Sequence, residues 1–217
     1  MRLDLHIHSN YSDGRARVED ILKMARRRGL GGVAITDHDT LRGSQVARRA
    51  SRVLRRDLVV IMGAEISTSE GHLLALGIEE LPPLRHSPEE TIDAIHDLGG
   101  IAVVPHPYHY FRHGMGRIPP VDAVEVFNSR YILGLSNVRA RREATSRGLP
   151  MVAGSDSHML ETVGLGVTVV NADSSGQALE EIRQGRTGII CKRTPSRMIA
   201  RNVIKSVRRK IGKRLQV

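Results

Sequence analysis

Side chains that can bind a divalent metal stand where apolar, strand-like segments of this sequence end. They are imidazoles and carboxylates: His6, His8, Asp13, His38, Glu65, His72, His106, Asp156 and His158. A structural zinc site uses four ligands, so this set is too large for one such ion. The pattern predicts a multinuclear hydrolytic centre, because clustered cations lower the pKa of bound water and give metal-bound hydroxide near neutral pH.

The first of these motifs is His6-Ile7-His8 in an apolar segment that begins at Leu3. The two-residue period of a strand places both imidazoles on one face. Asp13 follows in a loop whose glycine, Gly14, permits a tight return toward the strand end. Taken alone, a His-x-His pair is equally compatible with a surface strand.

Further polar clusters follow other apolar segments, and they favour the interpretation of the first motif as a pair of metal ligands. They are Thr36-Asp37-His38-Asp39, Glu65, His106, and Asp156-Ser157-His158, whereas His72 begins a segment. Each has a simpler interpretation: Asp37 or Asp39 can cap a helix, and His72 or His106 can be a hydrogen-bonded core histidine. In a parallel barrel the carboxyl ends of successive strands meet at one face, so the positions reinforce one another.

Hydrophobic periodicity predicts an α/β chain in which short strands alternate with amphipathic helices. The predicted strands are 3–8, 32–36, 58–64, 72–78, 101–105, 123–127 and 151–154, and the predicted helices are 18–28, 44–55, 88–98, 135–147 and 176–184. Two further apolar runs, 166–170 and 187–191, can close or flank the sheet. This alternation favours a parallel barrel.

The motif set resembles that of the PHP (polymerase and histidinol phosphatase) superfamily over roughly residues 1–186. The resemblance implies a distorted (β/α)7 TIM-like barrel of the PHP type, a trinuclear metal centre and hydrolysis of phosphoesters. It also implies that Glu65 bridges two ions. The implied ligand sets are His6, His8, Glu65 and Asp156 for one ion, Glu65, His72 and His106 for a second, and Asp13, His38 and His158 for a third. Asp13, His38, Glu65 and Asp156 are the predicted catalytic residues.

The segment around His72 is similar to a signature of small stand-alone members that act on nucleotide 3′,5′-bisphosphates or short oligonucleotides in a 5′–3′ exonuclease-like reaction. Those members often carry a substrate-capping insertion, and the short interval between His72 and His106 leaves no room for one. A small-molecule phosphatase of the histidinol phosphatase type is the alternative. A non-enzymatic nucleic-acid-binding protein is the rival from another class.

Substrate contacts are expected near the predicted mouth of the site, where arginines suit phosphate through bidentate contacts. The candidates are Asn128, His109, Arg112, His113 and Arg117. The mixture of imidazole and carboxylate suits two or three ions of Zn, Mn or Fe. The body contains a single lysine, Lys23, so a Schiff-base aldolase and a carbamylated-lysine hydrolase lack their central residue. Glycine-rich nucleotide loops are absent as well.

The net charge of +10 is concentrated in a tail. Residues 192–217 hold ten basic residues and no acidic one, whereas the 23 basic and 23 acidic residues of 1–191 balance. We therefore expect a catalytic barrel over 1–191 and a basic amphipathic tail over 192–217. The stripe formed by Ala200, Ile204, Val207, Ile211 and Leu215 favours packing on the barrel. Contact with RNA or an anionic lipid surface is the alternative.

The cellular location is predicted from what the sequence lacks. The longest apolar runs are far shorter than the roughly 20 residues of a membrane span. The sequence shows neither a signal peptide nor a transmembrane segment, and its single cysteine, Cys191, cannot form an internal disulfide. These features indicate a cytoplasmic protein.

Overall fold

The computed structural model describes residues 1–53, 58–109, 113–130 and 134–195. Its strands are β1 (Arg2–Ile7), β2 (Gly32–Ile35), β3 (Val59–Ile61), β4 (Gly63–Ser67), β5 (His72–Leu76), β6 (Ile101–Val104), β7 (Ala123–Asn128), β8 (Met151–Gly154), β9 (Gly166–Val169) and β10 (Gly188–Cys191). The α-helices are α1 (Val18–Arg27), α2 (Arg42–Val53), α3 (Pro88–Asp97), α4 (Leu135–Ser146) and α5 (Ser175–Arg183).

All five predicted helices are confirmed, with described ends that differ from the predicted ones by at most two residues. The predicted end of the second helix, at residue 55, lies outside the described residues. Helix α3 shows why the sequence marks such ends clearly. Ser87 and Glu90 form a capping box at its first turn, and Pro88 occupies the first helical position. Gly99 follows the helix with a φ of 76°, a backbone conformation that favours glycine.

The strands form two five-stranded mixed sheets, in the orders β10-β9-β1-β2-β3 and β4-β5-β6-β7-β8. The expected all-parallel arrangement is therefore wrong, because β5 runs antiparallel to both β4 and β6, and β9 runs antiparallel to β1. The link between Ser67 and His72 is a short turn, and a parallel pair would need a much longer crossover. The reversal brings the start of β5, with His72, to the edge where the neighbouring parallel strands end.

The predicted strand over 58–64 is also corrected, because the chain divides it between the two sheets. Val59–Ile61 pairs with β2, whereas Gly63–Ser67 pairs with β5. Gly63 packs so closely on β5 that an added Cβ would lie 2.6 Å from the Ala75 carbonyl oxygen. This junction after Ile61 starts the second sheet and carries Glu65 into it.

Of the expected (β/α)7 barrel, the structure confirms the mixed α/β fold but not the closed barrel. The two hydrogen-bonded sheets do not close into one ladder. Two isolated parallel bridges join them, Ile7 to Ser157 and His38 to Glu65. At the first bridge, Ser157 accepts from the His8 amide at 2.8 Å. At the second, the Glu65 carbonyl accepts from the Asp39 amide at 2.9 Å. Both bridges lie among the candidate metal ligands.

Residues of both sheets share one apolar cluster that includes Leu5, Leu74 and Val103. A second cluster packs α1 against β1 and β2, and a third packs α3 and α4 against the β4–β8 sheet. Together these three apolar clusters fix the positions of the strand ends. None of the helices in the described ranges has the length and hydrophobicity needed to cross a bilayer. The predicted apolar stripe of the tail lies outside the described residues.

Candidate metal centre

A pocket of about 220 Å³ lies where the two sheets meet. Its wall contains seven of the nine predicted ligands together with two further side chains: Asp13, His38, Glu65, His72, His106, His113, Arg130, Asp156 and His158. The remaining two predicted ligands, His6 and His8, lie directly beneath and are almost fully buried. The structure thus brings together all nine side chains, although they are spread over most of the chain.

Glu65 is the centre of this cluster, and its two carboxylate oxygens face different histidines. Oε1 lies 2.9 Å from Nδ1 of His72 and 3.1 Å from Nε2 of His106. Oε2 lies 3.1 Å from Nε2 of His8 and 3.3 Å from Nε2 of His6. A carboxylate in this position can bind two cations at once.

The other carboxylates lie farther along the pocket. Asp156 Oδ1 is 3.6 Å from Nε2 of His8 and 3.4 Å from Nδ1 of His158. Asp13 is half-exposed, and its Oδ2 lies 2.8 Å from Nε2 of His158. Its Oδ1 lies 3.8 Å from Nε2 of His38, which completes the outer part of the cluster.

Four overlapping groups of these side chains have donor atoms close enough to share an ion. They are His8, Asp13, His38 and His158; His6, His8 and Asp156; His6, Glu65 and His106; and His38, Glu65 and His72. The overlap at His6, His8, His38 and Glu65 is typical of a centre with more than one ion. The grouping differs in detail from the expected sets, because His38 also lies near Glu65.

The protonation states of the buried side chains favour the binding of cations in this cluster. Burial favours protonation of Glu65, but the charge of His6 and the close imidazoles of His106 and His72 hold the pKa of Glu65 well below its usual value. Burial lowers the pKa of His8 to about 4, so its imidazole is neutral and keeps a lone pair. Burial also disfavours charge on His6, yet Glu125, Glu65 and Asp156 together raise the pKa of His6 well above the usual range. The buried carboxylates Glu125, Glu65 and Asp156 therefore favour positive charge in this cluster, as a proton or as a bound cation.

The backbone at two candidate ligands is strained. His106 has a φ of 33° and Asp156 a φ of 48°, both in the left-handed region that residues other than glycine rarely adopt. Each such residue costs roughly 1–3 kcal/mol, and strain of this kind is concentrated at functional sites. Both residues come two positions after a strand ends, at Val104 and Gly154, and both line the pocket.

Glu125 is a buried carboxylate of the site that the sequence analysis missed. Its Oε1 lies 3.0 Å from Nδ1 of His6, and its Oε2 accepts from the backbone amide of His106 at 3.0 Å. Gly154 makes room for this contact, because a Cβ there would lie 2.3 Å from Glu125 Oε1 and 2.6 Å from the His6 Cβ. A charged residue inside the apolar run of β7 was the available signal, since burial of a carboxylate is costly unless it is paired.

Asp37 and Asp39, which flank His38, hold the loops on either side of it. Asp37 accepts from the Ser9 amide at 2.7 Å and from the Ser12 hydroxyl at 2.6 Å, which fixes the loop that carries Asp13. Asp39 accepts from the Ser67 amide at 2.7 Å, which fixes the end of β4. Neither carboxylate lines the pocket, so both act through the position of the backbone.

Arg130 is the second residue of the site that the sequence analysis missed. Its Nη1 lies 2.8 Å from Asp156 Oδ1 and 2.8 Å from Nδ1 of His158. It follows Asn128 by two residues, and no feature of the sequence separates it from the many surface arginines.

The predicted substrate-binding residues occupy different environments. His113 lines the pocket, with its ring centre 5.3 Å from that of His72. His109 is half-buried in the same loop. Asn128 is buried below the pocket and donates to Asp156 Oδ2 at 3.2 Å. Arg117 lies apart from the pocket wall and is paired with Glu70 and Glu89. Arg112 lies outside the described residues.

Two family models match this chain. The model of the PHP domain matches residues 4–115, and a model described as PHP-associated matches residues 134–187. A solved two-domain protein from Bacteroides vulgatus, whose description includes a predicted PHP-like metal-dependent phosphoesterase, has the same fold with a TM-score of 0.74. The match has 19% sequence identity and covers 88% of this chain and 65% of that chain.

Relatives of known sequence match over different lengths. An uncharacterized protein of Methanocaldococcus jannaschii, MJ1587, is 38% identical over 151 residues, which are 63% of this chain and 87% of that protein. A phosphoribosyl 1,2-cyclic phosphate 1,2-diphosphodiesterase of Eggerthella lenta is 38% identical over 37% of this chain. A 3′,5′-nucleoside bisphosphate phosphatase of Chromobacterium violaceum is 35% identical over a similar 37%. The matched regions span only 32% and 29% of these two enzymes.

Proposed function

Because the chain belongs to the PHP domain family, we propose that it is a metal-dependent phosphoesterase. The observation that carries this proposal is the convergence of nine imidazole and carboxylate side chains on one pocket, with Glu65 facing two sets of histidines. Two or three divalent ions of Zn, Mn or Fe are the proposed cofactors. Such ions supply a nucleophile from water and stabilise the charge that develops on phosphoryl oxygens.

The donor atoms fit this assignment. Nε2 of His6 and Nε2 of His8 lie 3.1 Å apart, and both lie within 3.3 Å of Oε2 of Glu65. A cation shared by these three atoms relieves the repulsion among them. Nδ1 of His106 is buried and has no hydrogen-bond partner among the described residues. Nδ1 of His72 lies 2.9 Å from Glu65 but has no hydrogen bond of acceptable geometry, which suits a metal ligand better than a hydrogen-bonded pair.

The protein's own side chains divide the remaining work. Glu125 orients His6 and His106 from below, and Asp37 and Asp39 fix the loops beside His38. His113 and Arg130 stand on the pocket wall, where they can contact a phosphorylated ligand. We assign Asp13, His38, Glu65 and Asp156 to the catalytic centre on the same grounds.

For the substrate, we favour nucleotide 3′,5′-bisphosphates or short oligonucleotides. The first of these classes is the one named in the matching phosphatase of Chromobacterium violaceum. A small-molecule phosphomonoester of the histidinol phosphate type is the alternative, and the short β5–β6 interval without a capping insertion favours it over large ligands. The pocket of about 220 Å³ accommodates a phosphoryl group and the adjoining part of its alcohol.

The tail beyond residue 191 forms the second proposed unit. β10 ends at Cys191, and the amide of Thr194 donates to the Ser129 carbonyl at 3.0 Å, so the described chain ends beside the loop after β7. We propose packing on the barrel as the main role of the tail and contact with RNA as a secondary one.

A metal-reconstituted substrate screen tests the proposed function. The protein is stripped with chelator, reloaded with Mn or Zn, and assayed with phosphomonoesters, nucleotide 3′,5′-bisphosphates and 5′-labelled RNA oligomers. We expect hydrolysis that chelation abolishes and metal restores, with His8→Ala and Asp156→Ala reduced by orders of magnitude. Near-wild-type rates in either variant, or metal-independent hydrolysis, would contradict the proposed site.

A further inference from the structure

Among the described residues that line the pocket, Arg130 is the one with a permanent positive charge. The other lining residues are carboxylates or histidines, which neutralise one another or face the proposed ions. The many remaining arginines with described surroundings lie outside the pocket wall. Among the described residues, a phosphorylated ligand in this pocket therefore meets a single guanidinium.

In the described ranges, the guanidinium of Arg130 is held through Nη1 alone. Nη1 donates to Oδ1 of the buried Asp156 at 2.8 Å and lies 2.8 Å from Nδ1 of His158. The backbone amide of Arg130 donates to Oδ1 of Asn128 at 3.0 Å, and Nδ2 of Asn128 donates back to Asp156 at 3.2 Å. These contacts fix both the backbone and one corner of the side chain.

The opposite edge of the guanidinium has unused donors. Within the described part of the chain, Nη2 and Nε make no hydrogen bond, and the side chain is 26% exposed. A guanidinium has five N–H groups in a rigid fork that matches the spacing of phosphate oxygens. Because Nη1 is already anchored, little rotational freedom remains to be lost when the other edge binds an anion.

We propose that Arg130 binds the terminal oxygens of the substrate phosphate and selects phosphomonoesters over phosphodiesters. A monoester carries a charge of about −1.5 to −2 near pH 7 and has three terminal oxygens. A diester carries one negative charge and has two. The fork of Arg130 gains more from the monoester in both respects. This inference rests on the proposed phosphoesterase function and specifies which esters that site prefers.

Arg130→Met and Arg130→Lys test the selectivity. The kcat/KM for p-nitrophenyl phosphate and for bis(p-nitrophenyl) phosphate is measured with each variant at the wild-type metal content. We expect Arg130→Met to lose about 10- to 100-fold on the monoester, the range for one or two charge-assisted hydrogen bonds, and little on the diester. Arg130→Lys keeps the charge but lacks the fork, so an intermediate loss is expected.

A matched control removes an arginine elsewhere. Arg48 on α2 is paired with Glu79 at the surface, and Arg48→Met should leave the ratio of the two rates unchanged. Thermal melting of all variants separates a folding defect from a change in selectivity, and Arg130→Lys replaces Arg130→Met if the latter does not fold. Equal losses on both esters, or an unchanged ratio in the folded Arg130 variants, would overturn the inference.

A binding measurement separates this inference from the proposed function. Calorimetric titration of the metal-loaded protein with inorganic phosphate and with diethyl phosphate requires no turnover. We expect phosphate to bind more weakly to Arg130→Met than to wild type, while diethyl phosphate binds both proteins alike. If wild type hydrolyses neither these esters nor any substrate of the metal-reconstituted screen, the proposed function fails, and the titration alone decides the role of Arg130. Equal phosphate affinity in wild type and Arg130→Met would reject that role.

Discussion

Oε1 of Glu125 lies 3.0 Å from Nδ1 of His6, and both side chains are completely buried. A carboxylate there accepts a hydrogen bond from Nδ1–H, which leaves Nε2, the nitrogen beside Glu65 and His8, to bind an ion. Such a carboxylate behind a histidine ligand fixes the ring orientation and raises its basicity. The second oxygen of Glu125 holds the strained backbone of His106, so one residue orients two candidate ligands.

Glu125→Gln should therefore weaken metal binding by about 10- to 100-fold, the usual cost of losing such a partner. The amide retains one acceptor for the His106 amide, but its NH2 group then faces His6 and favours a proton on Nε2 instead of Nδ1. Competition with a coloured chelator gives the affinity, and ¹⁵N spectra of the Zn-loaded protein report which ring nitrogen of His6 carries the proton. Glu80→Gln, at an exposed position, is the control. An unchanged affinity and tautomer in Glu125→Gln would show that Glu125 only fills space.

The position of Glu65 between two sets of histidines leads to a second prediction. Glu65→Gln should lose ions from more than one group, because its two oxygens face His72 and His106 on one side and His6 and His8 on the other. His72→Ala should lose metal from a single group. Elemental analysis of both variants under metal-replete conditions gives the ion content per chain. Equal occupancy in the two variants would contradict a bridging carboxylate.

Most candidate ligands were predictable from sequence because they are polar residues at, or a few positions beyond, the end of an apolar segment. His38 and Asp156 illustrate this: each follows an apolar run within a few residues, and burial of such groups is costly without a partner or an ion. Helix ends were predictable for a similar reason, since caps such as Ser87 and stops such as Gly99 act locally.

Features that depend on strand pairing were not predictable in this way. The reversal of β5 and the division of 58–64 between two sheets depend on which strand each segment contacts, and apolar periodicity does not specify the partner. Glu125 and Arg130 were missed because their roles depend on contacts with His6 and Asp156, which are distant in sequence. The turn between Ser67 and His72 was the clearest available sign of an antiparallel pair.

The tail beyond the described residues gives a third prediction. Truncation after Pro195 should lower the melting temperature if the predicted apolar stripe packs on the barrel, with no change in the salt dependence of RNA binding. Hydrolysis of a small monoester should be unaffected, because all nine candidate ligands precede residue 160. A thermally neutral truncation that weakens RNA affinity would instead favour RNA contact. The salt slope would then fall by ~0.7 for each lost phosphate contact.

Asp4 leads to a prediction about pH and stability. It is fully buried, and its carboxylate accepts from the amides of Ser155 at 3.0 Å and Gly164 at 2.7 Å. Burial raises the pKa of Asp4 to about 6 despite these hydrogen bonds. Since the pKa in the unfolded chain is near 3.8, the folded state holds this proton more tightly. The stability that this group contributes is therefore greatest below about pH 4 and is lost as pH rises through about 6.

The free energy of unfolding of wild type should accordingly fall by roughly 1 kcal/mol between pH 5 and pH 7 on account of Asp4. Asp4→Asn has no proton to lose at this position, so the stability difference between wild type and variant should shift by that amount. Asp4→Asn should also be less stable at pH 5, because its NH2 group cannot accept from both amides. Urea unfolding with chelator present measures both effects, and Asp93→Asn at an exposed position of α3 is the control. If the difference in the free energy of unfolding between wild type and Asp4→Asn is constant with pH, Asp4 is ionised over the whole range. Its hydrogen bonds then outweigh the effect of burial on its pKa.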